Sequence, residues 1–191
     1  IEEELKSYRI PYQIIGGVKF YDRMEVKDLI CYLRLFLNPQ DDISFLRVLN
    51  TPSRGIGDMT VQKLIEFAQQ NNFSLLKAAK EILDQGILNK GTCKKLEGFL
   101  NMYVALKVQA ETLKPAEFIR NLIEQLQYPE YLKFTKPDDF SDRIDNVNEL
   151  VNVIVKFEKE RGQEATLVQF LEEVSLVSDI DDLDENKAAV K

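Results

Sequence analysis

Apolar residues recur at helical spacing along most of this chain. Val26, Leu29, Ile30, Leu33 and Leu37 repeat every three or four positions, which predicts a helix with one inward face. Asp22 with Glu25 three residues later reads as its capping pair, and Asn38-Pro39 as its end. Asp42 is placed to cap a short helix running through Ile43, Leu46 and Leu49. The next helix is expected over residues 59–69, with Val61, Leu64, Ile65 and Ala68 inward, and Ser74 opens another through Leu75, Ala78, Ala79 and Ile82. A longer one is expected over 92–112 (Leu96, Phe99, Leu100, Tyr103, Leu106), then one from Pro115 to Leu126, where proline suits the first helical position. Residues 139–159 carry Ile144, Val147, Leu150, Val151, Ile154 and Phe157 in register, and Thr166 caps a last helix through Leu167, Phe170, Leu171 and Val174. Tyr12 to Ile15 reads as a short strand, followed by a Gly16-Gly17 turn. The expected fold is mainly α, with small β elements at the two ends.

Composition narrows the chemistry. Of 191 residues, 45% are apolar and 30% charged, enough to bury a core. There is no histidine, which removes imidazole-based triads and metal sites. Two cysteines, Cys31 and Cys93, cannot build a disulfide framework and read as buried thiols in a reducing compartment. No apolar run approaches the ~18 residues of a membrane span, and no signal peptide is visible. The net charge of −7 is uneven. Residues 1–60 carry 8 Lys and Arg against 9 Asp and Glu; residues 61–136 carry 11 against 8; residues 137–191 carry 6 against 15. Contact with a phosphate backbone therefore belongs in the first two thirds. The acidic run around Asp179, Asp181, Asp182, Asp184 and Glu185 reads as a solvated linker. Ile1-Glu2-Glu3-Glu4-Leu5 reads as the inside of a helix, and Ala188 to Lys191 as the start of an apolar stretch, so the expectation is a piece of something larger.

One stretch can carry recognition chemistry. Gly55-Ile56-Gly57 lies between two helices, the pattern of a helix–hairpin–helix. Glycine lets the backbone approach a phosphate closely, and the first amides of the following helix have no intrahelical partner, so they can face an anion. In this reading Ile56 anchors the hairpin, while Arg54, Lys63 and Arg47 add charge. Such a contact reads phosphates rather than bases. The same glycines also suit a plain tight turn, and the residues alone leave both readings open. A dinucleotide loop fits less well, because Thr60 stands where its third glycine would be and no parallel-sheet pattern surrounds it.

Other candidates have ordinary structural readings beside them. Lys19, Arg23 and Lys27 flank Phe20 and Tyr21, a mixture that suits single-stranded nucleic acid and equally an amphipathic helix start. Arg143 to Val147 fits helix packing better than a ligand site. Asp41-Asp42 and Asp181-Asp182 lack calcium-loop spacing. No Gly-x-x-x-x-Gly-Lys-Ser/Thr loop is present to cradle a nucleoside triphosphate, so the chain alone is expected to catalyse nothing.

Several segments in order resemble one family. Ile10-Pro11-Tyr12, Gly16-Gly17, Phe20-Tyr21-Asp22-Arg23, Glu25-Val26-Lys27-Asp28 and Tyr32-Leu33-Arg34 are followed by Asn38-Pro39, Asp41-Asp42 and then Arg47, Asn50, Pro52, Arg54-Gly55-Ile56-Gly57. Arg143-Ile144-Asp145-Asn146 with Glu149-Leu150, then Phe170-Leu171 and Ser178-Asp179, continue the pattern. These resemble UvrD/PcrA/Rep-type superfamily 1 ATP-dependent DNA helicases, PcrA-like bacterial enzymes in particular.

The resemblance implies an ATP-driven 3′-to-5′ translocase of DNA repair and replication, cytoplasmic and associated with the nucleoid. It assigns residues 1–38 to part of motor subdomain 2A, 39–184 to the accessory helical subdomain 2B, and 185–191 to the start of a return strand into 2A. It implies no cofactor within this chain, while ATP and Mg²⁺ belong to the parent protein. It matches Arg54, Gly55, Ile56 and Gly57, with Asp58, Met59 and Thr60 and nearby Lys63, to a duplex-contacting loop. It matches Lys19, Phe20 and Arg23 to a 2A segment near single-stranded DNA. The partners it implies are a duplex/single-strand junction without sequence preference and no membrane. A helical module docking repair or polymerase proteins is the competing expectation, kept alive by the acidic last third.

Overall fold

Burial on nearly every side marks the helix over Met24–Leu37 (α1) as the centre of the fold. Only Lys27, Arg34 and Leu37 face solvent along it, one stripe in helical register. In this computed structural model, residues 20–188 are described, with side chains through Val177. After a 3₁₀ turn at Phe20–Asp22 and α1 come α2 (Asp42–Leu49), α3 (Asp58–Asn71), α4 (Leu75–Asp84), α5 (Lys90–Thr112), α6 (Pro115–Gln125), α7 (Tyr128–Thr135), α8 (Phe140–Arg161) and α9 (Leu167–Ala188). No strand occurs among the described residues. The mainly α expectation holds. Tyr12 to Ile15 lie outside the described residues. Of the strand expected over 185–191, residues 185–188 are helical and 189–191 lie outside the described residues.

Helices α2, α5, α8 and α9 all pack on α1. Phe36 of α1 stacks on Tyr103 of α5, with ring centroids 5.5 Å apart, and meets Phe118 of α6 edge-on. Phe45 of α2 meets Phe99 of α5, and Phe157 of α8 meets Phe170 of α9. One continuous core results, from Val26 to Val174, and it runs without a break across position 38.

Caps differ in detail from the expected ones. Asp41, not Asp42, caps α2: its Oδ1 accepts from the Ser44 amide at 2.9 Å. Asp42 instead reaches the start of α4, accepting from the Leu75 amide at 2.7 Å. With that cap α2 turns Phe45, Val48 and Leu49 inward and leaves Ile43 81% exposed. Ser74, Thr166 and Pro115 take their expected places. The eight-residue α7 has no counterpart in the sequence reading; it opens after Gln127, which sits at φ 48°, with Pro129 in its first turn.

The expected Asp22–Glu25 pair does not form. Asp22 binds Lys27 at 2.9 Å, and Glu25 turns into the core. There Arg143 of α8 donates to its Oε2 at 2.7 Å and Asn146 to its Oε1 at 2.5 Å. Two charge-assisted bonds outweigh one local cap. One turn further on, Asp28 accepts from Arg47 Nε of α2 and from the Tyr128 hydroxyl of α7, each at 2.7 Å. Burial holds the Asp28 carboxyl above its ordinary range, although Tyr128 and Arg47 pull it down. Two buried carboxylates on α1 thus fix α2, α7 and α8 around it.

Removing Arg143 leaves Glu25 buried without its cation. Arg143→Met is expected to cost about 3 kcal/mol in urea denaturation, and adding Glu25→Leu to recover at least half; a single-variant loss too small to measure contradicts the assignment. The raised Asp28 pKa gives a pH signature. The folded chain holds this proton more tightly than the unfolded one, whose ordinary value is 3.8. The stability this contributes is complete below that value and is lost as pH rises through the folded one. The melting-temperature gap between the parent and Asp28→Asn should therefore narrow from low pH to pH 7. A gap that widens contradicts the direction of the shift.

Candidate nucleic-acid interface

The loop from Asn50 to Gly57 is organised from inside. Asn50 Oδ1 accepts from the amides of Arg54 (2.7 Å) and Ile56 (3.2 Å), which folds the segment over its own side chain. Ile56 is 2% exposed and plugs the loop into the core. Arg54 also turns inward. Its Nη1 donates to the carbonyls of Val48 (2.8 Å), Leu49 (3.2 Å) and Pro52 (3.1 Å). Its Nη2 donates to the Tyr32 hydroxyl at 2.6 Å, and the guanidinium lies over the Phe99 ring. The Val48 carbonyl also accepts from the Thr51 amide at 3.2 Å, whereas the Leu49 carbonyl lies past the reach of intrahelical donors, and a fork of fixed N–H donors is suited to gather both. Tyr32 in turn donates to the Thr51 carbonyl. Burial pushes its phenol up to about 12, so it stays a neutral donor.

The two glycines have different reasons. Gly55 sits at φ +68°, a left-handed conformation that glycine adopts without strain. Its carbonyl accepts from Lys95 Nζ at 2.9 Å, which brings α5 against the loop. Gly57 has φ −85° and ψ 169°, an extended conformation open to any residue, and a Cβ there would meet nothing within 4 Å. Nothing inside the fold requires glycine at 57.

Gly57 is also the N-cap of α3, and no side chain caps it. Its carbonyl accepts from the amides of Thr60 and Val61. The amides of Gly57, Asp58 and Met59 have no partner among the described residues. All three residues are exposed, Met59 by 80%. Three N–H groups at the positive end of a 14-residue helix are therefore left without an internal acceptor, on exposed residues. Thr60 is half-buried behind them, and Lys63 is exposed one turn on and forms no ion pair among the described residues.

The structure thus divides the sequence-derived candidates. Gly55, Gly57, Asp58, Met59 and Lys63 are all exposed. Arg54 and Ile56 shape the loop from behind, so the Arg54 guanidinium is not the free phosphate-facing cation expected from sequence. Arg47 is held by Asp28 and the Met24 carbonyl. Phe20 is half-buried, and Arg23 lies over its ring and donates to Asn146, so this pair packs toward α8. Lys19 lies outside the described residues. Tyr32 and Asn50 stood in the sequence only as parts of the family pattern, without a role at the loop, and Lys95 was not singled out; it is 40 positions from its partner and carries no local signal. No group of residues suited to a metal occurs among the described residues, and no described helix is long and apolar enough to cross a membrane. An open groove of about 570 Å³ lies elsewhere, between α6, α7 and α8, lined by Arg120, Ile123 and Val151 among others.

The chain belongs to the UvrD-like helicase C-terminal domain family, whose profile matches residues 1–191. It is 36% identical over 187 residues to the ATP-dependent DNA helicase PcrA of Bacillus subtilis strain 168, across 98% of this chain and 25% of that protein. It is likewise 36% identical over 185 residues to the PcrA helicases of Staphylococcus epidermidis RP62A and Staphylococcus aureus Mu50, across 96% of this chain. The chain spans about a quarter of the length of these relatives.

Arg54→Lys keeps the charge and loses the fork. It should speed hydrogen exchange at the Ile56 amide at least tenfold, about 1.4 kcal/mol of local stability, with the α8 amides unchanged. Unaltered protection of Ile56 would show that the guanidinium does not hold the loop.

Proposed function

We propose that this chain is the DNA-contacting and regulatory accessory part of a bacterial ATP-dependent 3′-to-5′ DNA helicase of repair and replication, acting in the cytoplasm at the nucleoid. Family membership supports the helicase parent. The three amides without an internal acceptor that begin at Gly57, a glycine with no role inside the fold, carry the contact itself. They grip a duplex phosphate beside the unwinding junction, with Gly55 giving clearance and Lys63 adding charge. Main-chain donors read no base edge, so the grip lacks sequence preference. ATP and Mg²⁺ serve the parent protein, and their binding loop is not in this sequence. In this reading residues 39–184 form subdomain 2B and α1 bridges it to the 2A piece, because the core and both buried carboxylates cross that boundary.

A second reading, docking of repair or polymerase proteins, draws on the charge of −9 carried by residues 137–191, 6 basic against 15 acidic. It predicts that changes at the glycine loop leave partner binding untouched.

Anisotropy titration with a labelled duplex bearing a 3′ tail separates the two. Binding should weaken steeply with salt. Gly57→Val should weaken it about tenfold with an unchanged circular dichroism spectrum. Gly57→Asp supplies a cap and a negative charge, so it should weaken binding further while raising the melting temperature slightly. Full binding by both variants removes the loop from the interface.

A further inference from the structure

Helix α5 carries a row of cations that no assigned role absorbs. Lys90 and Lys94 stand one turn apart, Lys95 follows, and all three are exposed. None forms an ion pair among the described residues. Glu97 is exposed on the same helix and neutralises neither Lys90 nor Lys94 by contact. Lys95 touches the Gly55 carbonyl at 2.9 Å, so this edge adjoins the glycine loop. Gly98 continues the same edge, exposed in the interior of a 23-residue helix, and a Cβ there would meet nothing within 4 Å. Glycine in a helix interior costs ~1 kcal/mol relative to alanine, and no internal contact explains it.

We propose that the Lys90–Lys94 edge of α5 is a second phosphate-binding strip that continues the duplex contact begun at Gly57. It rests on the reading above. Lys90 and Lys94 are separated by about 6 Å of helix rise at 1.5 Å per residue. One DNA strand advances ~3.4 Å per phosphate along its axis, so ammonium groups on stems ~6 Å apart fall within about two phosphate steps of one strand. The bare backbone at Gly98 lets the rail lie close to the helix. Lys95 holds the loop and lends its remaining donors.

The test is the salt dependence of tailed-duplex binding by the chain and its variants. Lys90→Gln with Lys94→Gln removes two contacts and leaves the loop intact. The slope of log K against log salt should become shallower by about 2, with an unchanged melting temperature. Lys156→Gln with Lys159→Gln on α8 serves as the charge-matched control and should leave the slope as it is. An unchanged slope in the Lys90/Lys94 variant, or an equal change in the control, overturns the strip. If Gly57→Val loses binding while the Lys90/Lys94 variant keeps its slope, the strip fails and the loop stands. If the lysine variant loses slope while Gly57→Val binds fully, the strip stands and the loop reading fails.

Discussion

Everything on the outer surface of this loop depends on a cation pointing the other way. Arg54 spends its guanidinium on the Val48, Leu49 and Pro52 carbonyls, the Tyr32 hydroxyl and the Phe99 ring. That ties off the C-terminal end of α2 and leaves the next segment with Ile56 as an inward plug. What then faces solvent includes main chain, at two glycines and the uncapped start of α3. A surface of fixed amide dipoles needs no side-chain ordering when it meets an anion, and its geometry is set before the ligand arrives.

The rigidity behind the loop comes from α1. Its buried carboxylates, Glu25 and Asp28, sit one turn apart and recruit Arg143, Asn146, Arg47 and Tyr128 from α8, α2 and α7. Buried ion pairs are poor sources of net stability, but removing one partner is costly. They therefore act as directional fasteners within a core of aliphatic and aromatic contacts that is otherwise tolerant of small shifts. Tyr32 joins the two systems, since it belongs to the buried face of α1 and receives the Arg54 fork.

The helices longer than ten residues were legible because their apolar period persists over several turns, as in Leu96, Phe99, Leu100 and Tyr103. The glycine loop was legible because glycine spacing is a local signal. What escaped depends on distant partners. Arg54 looks like a free cation until Tyr32 and Phe99, 22 and 45 positions away, close around it. Asp41 and Asp42 are both fair caps in sequence, and only the position of α4 assigns Asp42 to Leu75. The eight residues of α7 offer two turns, too few for periodicity alone, and unlike the equally short α2 they follow a glutamine rather than a capping aspartate. Glu25 was read as a local cap because Arg143 lies 118 positions away.

The most direct measurement is an amide-resolved NMR titration of the chain with a tailed duplex. The account predicts that the Gly57, Asp58 and Met59 amides shift first and in proportion to occupancy, while the Arg54 side-chain N–H signals keep their internal bonds and stay in place. Silent loop amides, with shifts confined to residues 137–177, would contradict it.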